Sequence, residues 1–135
     1  TLNGNPIAAV AGLATLGELR KPGAYERLHA AGRRLRDGLA DLVKRSGLPA
    51  QVIGESTVFD IVFTDKPVTD YRSLLTADGT RLKAFNAECL RRGVCKGREK
   101  LYMSLAHSDE DIAKTLEAFE GALAALPRSA PGARA

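Results

Sequence analysis

Tryptophan is absent from these 135 residues, which hold three tyrosines, four phenylalanines, two histidines and two cysteines. Each scarcity excludes something. The chain is basic, with a net charge of +4 and a pI near 9.3. Its cations, Arg33, Arg34 and Arg36 and then Arg91, Arg92, Lys96, Arg98 and Lys100, lack the interleaved rings of a single-strand binder. Nucleic acid is therefore not the expected partner. Cys89 and Cys95 form no CxxC pair and have no histidine cluster beside them, so reduced thiols are expected and a metal site is not. No apolar run approaches the roughly 20 residues of a membrane span. No basic segment precedes an apolar stretch at the start, so neither a membrane partner nor export is expected, and the cytoplasm is the expected compartment.

The remaining pattern has the length and composition of one domain. Asn5-Pro6 reads as a helix start, a capping side chain followed by proline where its missing N–H costs nothing. The helix predicted from there to about Leu19 is apolar or small on every side, which predicts cover on every side. Pro22-Gly23 opens a second helix to about Arg45, with Leu28, Leu35, Leu39, Leu42 and Val43 on one stripe. The period then changes to two. Phe59, Ile61 and Phe63 alternate against Val58, Asp60 and Val62, predicting a strand at about 57–63 that pairs with 51–54 around Gly54-Glu55-Ser56.

A polar excursion follows, with one short helical turn. A helix over about 80–92 carries Leu82, Phe85, Ala87, Cys89 and Leu90 as core candidates, and a strand is predicted at 100–106. Ser108, with Asp111 three residues on, forms a capping box for the last helix, whose apolar face is Ile112, Leu116, Phe119 and Leu123. The order α-α-β-β-α-β-α predicts an α+β two-layer sandwich at 21–126. It follows a segment and helix at 1–20 and precedes a frayed, disordered tail at 127–135.

No self-contained catalytic constellation emerges. His29 lies on a helix amid alanine and arginine, without an acidic relay. Ser108 beside His107 is better explained as a helix cap, since adjacent side chains rarely face one another. "TADGT" lacks the ligand spacing of a calcium loop, and "GLATLG" is no phosphate loop. Thr1, with a hydroxyl and backbone N–H just ahead of a helix start, is a plausible anion contact or else part of an ordinary turn and cap.

Three segments in order carry a resemblance. "TLNGNPIAAVAGLATLGEL", "FDIVFTDKPVTDY" and "RRGVCKG…LYMSLAHSDEDIAKTLEAFEGAL" resemble the C-terminal part of class III pyridoxal-phosphate (PLP)-dependent aminotransferases. The likeness is greatest to the glutamate-1-semialdehyde 2,1-aminomutase branch, and it covers most of the chain. It implies the small C-terminal domain of a fold-type I transferase, preceded by an interdomain helix. That helix would be buried between two domains and a neighbouring subunit, which accounts for its apolar circumference.

The resemblance further implies that Thr1 contacts the cofactor phosphate across a homodimer interface, and that the missing large domain and a small amino acid substrate are partners. The family's catalytic lysine lies upstream of the Gly-Thr segment. No lysine here falls in such a motif, so the catalytic set is expected to be empty and the isolated chain inactive. One departure concerns the loop before Ser-Leu-Ala-His. It is longer in the aminomutase branch and carries an acidic substrate contact, whereas "CKGREK" is short and basic. An ω- or β-amino acid aminotransferase becomes an equal reading, with Lys96 and Arg98 as candidate substrate-carboxylate contacts or else solvated surface cations. The alternative to the whole reading is a stand-alone basic α+β binding module without catalysis.

Overall fold

The computed structural model describes residues 4–128. Thr1 and the last seven residues of the expected tail lie outside them. Five helices and three strands follow in the order α1 (Pro6–Leu19), α2 (Ala24–Ser46), β1 (Gln51–Glu55), β2 (Val58–Val62), α3 (Tyr71–Leu74), α4 (Gly79–Arg91), β3 (Leu101–Tyr102) and α5 (Asp109–Ala125). The sheet is antiparallel in the order β1-β2-β3, with Gly54 opposite Phe59 and Phe59 opposite Leu101.

Alternation in β2 decides which face is buried. Phe59, Ile61 and Phe63 are almost wholly enclosed, and they meet Leu35, Leu39, Leu42 and Val43 of α2, Phe85 and Cys89 of α4, and Ile112, Phe119 and Leu123 of α5. Phe85 stands between Phe63 and Phe119, its ring centroid 5.9 Å from the first and 5.6 Å from the second. Tilted aromatic contacts of this kind add about 0.5–1.5 kcal/mol to the burial of the rings themselves. Helices α2, α4 and α5 thus form one layer against one face of the sheet, the α+β two-layer sandwich expected.

Close backbone approach fixes α2 on the hairpin. A Cβ on Gly32 would stand 1.9 Å from the Ser56 carbonyl oxygen, so only glycine lets the helix come this near. One turn earlier, His29 Nδ1 is hydrogen-bonded to the Ser56 hydroxyl at 2.7 Å. The turn itself is Ser56-Thr57, starting two residues later than the expected Gly54-Glu55-Ser56, because Gly54 and Glu55 pair within the ladder.

Two further expectations are corrected, and one feature of α1 stands beside them. The strand predicted at 100–106 is only Leu101–Tyr102, because Ser104 to His107 close a turn in which the His107 N–H donates to the Ser104 carbonyl and the Ser104 N–H to His107 Nδ1. Ala87 and Leu90 of α4 face solvent, with the buried stripe running through Phe85 and Cys89. The apolar helix α1 is present but uncovered: Ile7 is 80% exposed, Val10 66%, Leu13 69% and Leu16 49%. None of its residues is buried.

Candidate functional site

Two places in the fold bear on the expected chemistry. At the first, the start of α1, the cap forms as predicted. Asn5 Oδ1 accepts from the N–H groups of Ile7 and Ala8 at 2.9 and 3.3 Å, and Pro6 has no N–H to give. The helix terminus has therefore committed its first donors to its own cap. An anion here would be held by the segment before Asn5, where Thr1 lies outside the described residues. By its chemistry a threonine hydroxyl, a hydrogen-bond donor, suits a phosphate.

The second place is the loop from Val94 to Lys100, which joins α4 to β3 and whose Glu99 and Lys100 reach the open sheet face, the one away from α2, α4 and α5. Gly93, in the left-handed region at φ +83°, turns the chain out of α4. The Val94 N–H then donates to the Cys89 carbonyl at 2.9 Å, and the Lys96 N–H to the Val94 carbonyl at 3.2 Å. Lys96, expected at the surface, turns inward. Its side chain has no exposure, and Nζ lies 2.8 Å from Asp60 Oδ1 on β2 and 3.2 Å from the Gly97 carbonyl oxygen. Asp60 is itself held by the Ile61 N–H at 2.9 Å. Burial pushes the Asp60 carboxyl above the ordinary carboxylate range, against the opposing pull of Lys96, and the nearby charge of Glu99 pushes the same way as burial.

A second tie holds the loop farther on, where Asn86 Nδ2 of α4 donates to the Arg98 carbonyl at 3.3 Å. Arg98 is exposed, so of the two candidate cations only this one stands at the surface. Beside the loop, the open sheet face forms a cleft of about 520 Å³ bounded by Ile53, Val58, Leu74, Leu75 and Lys100. Its walls are mostly apolar, and its charged groups are Asp60 on β2, Asp78 at the start of α4, and Glu99 and Lys100 on the loop.

Much of the remaining basic charge is answered within the fold. Glu88 bonds both Arg91 and Arg92, which hold its carboxyl below the ordinary range, and Arg34 pairs with Asp109. Ser108 and Asp111 form the reciprocal capping box, so this serine serves α5. Cys89 and Cys95 are free thiols, the first buried and the second exposed. Among the described residues no cluster of three or more metal-binding side chains occurs, and no helix is long and apolar enough to cross a membrane.

Asp60 was missed in the sequence because alternation placed it on the solvent side of β2. The available signal was its neighbours on that same face, Val58 and Val62, which mark a face that is partly covered. Lys96 gave no sequence signal of burial.

No protein-family model matches the chain. Curated relatives do. Glutamate-1-semialdehyde 2,1-aminomutase from Desulfosudis oleivorans is 41% identical over 129 residues, 93% of this chain and 30% of that protein. The corresponding aminomutase 2 from Brevibacillus brevis is 45% identical over 121 residues, 87% of this chain and 28% of that protein. The chain thus spans about 30% of the length of the curated relatives it matches. Among solved structures, a β-phenylalanine aminotransferase from Variovorax paradoxus matches with a TM-score of 0.75 and 27% identity, over 89% of this chain and 29% of that one. An ω-transaminase from Sphaerobacter thermophilus has the same fold at TM-score 0.75 and 24% identity, over 92% of this chain and 29% of that one. The chain is homologous to a C-terminal part of PLP-dependent aminomutases and transaminases and shares their fold.

Proposed function

We propose that this chain is the linking helix and small C-terminal domain of a PLP-dependent aminotransferase or aminomutase that acts on an amino acid or amino-aldehyde. The observation that carries the reading is α1. A helix with an apolar circumference and no buried residue is a surface made for cover that these residues do not supply. Enclosing Ile7, Val10, Leu13 and Leu16 against a large domain and a neighbouring subunit would stabilise the assembly by roughly 1.5–3 kcal/mol per side chain. Relatives about three times as long have the material for that cover.

In the assembled protein the cofactor supplies the electron sink that makes a proton on the substrate's α-carbon removable. The roles proposed for this chain are binding and closure. Thr1 holds the cofactor phosphate through its hydroxyl and N–H. Arg98, on the loop beside the open sheet face, meets a substrate carboxylate with a planar guanidinium suited to two parallel hydrogen bonds. Lys96 is already engaged by Asp60 and acts behind the loop rather than on substrate. The lysine that carries the cofactor belongs to the preceding domain.

Borohydride reduction of the isolated chain with PLP, followed by peptide mass spectrometry, tests this assignment. No single lysine should carry a stoichiometric pyridoxyl group, and amino transfer should be undetectable. Stoichiometric labelling of one lysine would refute the assignment of the catalytic lysine to another domain.

A further inference from the structure

The inward turn of Lys96 gives the α4–β3 loop an anchor that the proposed chemistry does not by itself require. We propose that Asp60 is a positioning residue: through Lys96 it fixes the loop from Val94 to Lys100 against β2 and so holds Arg98 where a substrate carboxylate is met. The proposal deepens the functional reading above and rests on it for the identity of the ligand, but the anchoring itself stands on this chain's geometry.

The loop is short, exposed along most of its length and rich in like charge, the composition of a segment that would otherwise sample many positions. Lys96 is its exception, a cation whose side chain is fully enclosed and 2.8 Å from a carboxylate that is 13% exposed. Taking two charges out of water is costly, and replacing such a pair with apolar groups often leaves stability unharmed. What apolar groups do not provide is direction. Asp60 offers an acceptor fixed on the central strand by the Ile61 N–H, and Lys96 Nζ spans from it to the Gly97 carbonyl, so the anchor reaches the residue adjoining Arg98. Asn86 takes the Arg98 carbonyl itself from the α4 side. The backbone on either side of the Arg98 Cα is thus tied to β2 and to α4, while its side chain stays outside.

The charges around the anchor give it polarity. Glu99, two residues before β3, lies near enough to Asp60 to oppose its ionisation. With Lys96 present its cation beside Asp60 offsets that repulsion. Without it they repel, and the loop carrying Glu99 is the part free to move. A change at Asp60 or Lys96 therefore displaces Arg98, although neither residue touches the ligand.

Two measurements separate the anchoring from the functional reading. Amide hydrogen exchange is followed in the full chain and its Asp60→Asn, Lys96→Met and Asp60→Asn/Lys96→Met variants, at Val94 and Lys96 and, as reference, in α2 and α5. Each single variant should speed exchange at the two loop amides by about tenfold or more relative to the helices. The double variant, with no uncompensated buried charge, should recover global protection but not loop protection. Unchanged loop exchange in the singles, or a double variant that restores the loop as fully as the helices, would overturn the anchoring.

In the complete enzyme, Asp60→Asn should raise KM for a substrate bearing a second carboxylate by roughly tenfold, with kcat and the KM of a carboxylate-free amine little changed. An equal effect on both substrates, or none, would overturn the link to Arg98. If the complete wild-type protein transfers no amino group, the functional reading fails while the exchange measurement still decides the anchor.

Discussion

Cys89 and Cys95 show how little sequence says about a side chain whose chemistry depends on its surroundings. Both read as reduced thiols, yet the fold treats them in opposite ways. Burial among the α4 and α5 side chains pushes the Cys89 thiol up to about 11, whereas Cys95 is exposed on the loop. Because the thiolate is the reactive form, a disulfide reagent at neutral pH should label one thiol rapidly and the second only on unfolding. Two rapid equivalents would contradict the burial of Cys89. The Ser108–Asp111 box, by contrast, was fully legible, since a cap needs only local spacing, and Ser108→Ala should cost about 1 kcal/mol by chemical denaturation. Its pH dependence has a definite sign. Asp111 accepts from the Ser108 N–H and hydroxyl, which lower its pKa from the ordinary value in the folded state. Its contribution is therefore present above the unfolded pKa of about 4 and is lost as pH falls through the lower folded pKa. Asp111→Asn should weaken the chain at neutral pH and approach wild type in strong acid, and a penalty constant with pH would count against the capping bond. Lys96 and Asp60 were illegible for the opposite reason. Their pairing joins a loop to a strand far apart in sequence, and nothing local records it.

At the scale of elements, period was the dependable signal. The stripe of α2, the alternation of β2 and the face of α5 each met the others in one core, because burial rewards the side chains that recur on one side. Boundaries were less legible wherever a tertiary contact set them. The β1–β2 turn slid two residues because Gly54, at φ +113°, could remain in the ladder with its Cβ position only 2.6 Å from the Val58 carbonyl. Gly32 belongs to the same class, since its need for hydrogen appears only when Ser56 arrives over it. Gly32→Ala gains up to about 1 kcal/mol of helix propensity but forces α2 off the hairpin, an overpacking cost of about 1–3 kcal/mol. The net outcome should be a lower thermal midpoint together with loss of the His29–Ser56 contact, read from the His29 ring signals. A higher midpoint would mean that α2 is not held as closely as the Gly32–Ser56 approach requires.

For the whole molecule, the same periodic reasoning that placed α2 and α5 in a core found no face on α1, and the structure leaves α1 without cover. The two facts share one cause. A helix that is apolar all round has no preferred side to offer a single small sheet, and under the proposed function its cover comes from another domain and subunit. Val10→Glu/Leu13→Glu should then separate folding from assembly. In the isolated chain these side chains are 66% and 69% exposed, so the change removes no core contact and should leave the thermal midpoint within about 0.5 kcal/mol of wild type in stability terms. In the complete protein the same two carboxylates would be driven into an apolar interface without partners, and the loss should be several kcal/mol. Calorimetry of both variants in both contexts reads the difference directly. Equal, small effects in the two contexts would mean that α1 also faces water in the complete protein, and its composition would then need a different explanation.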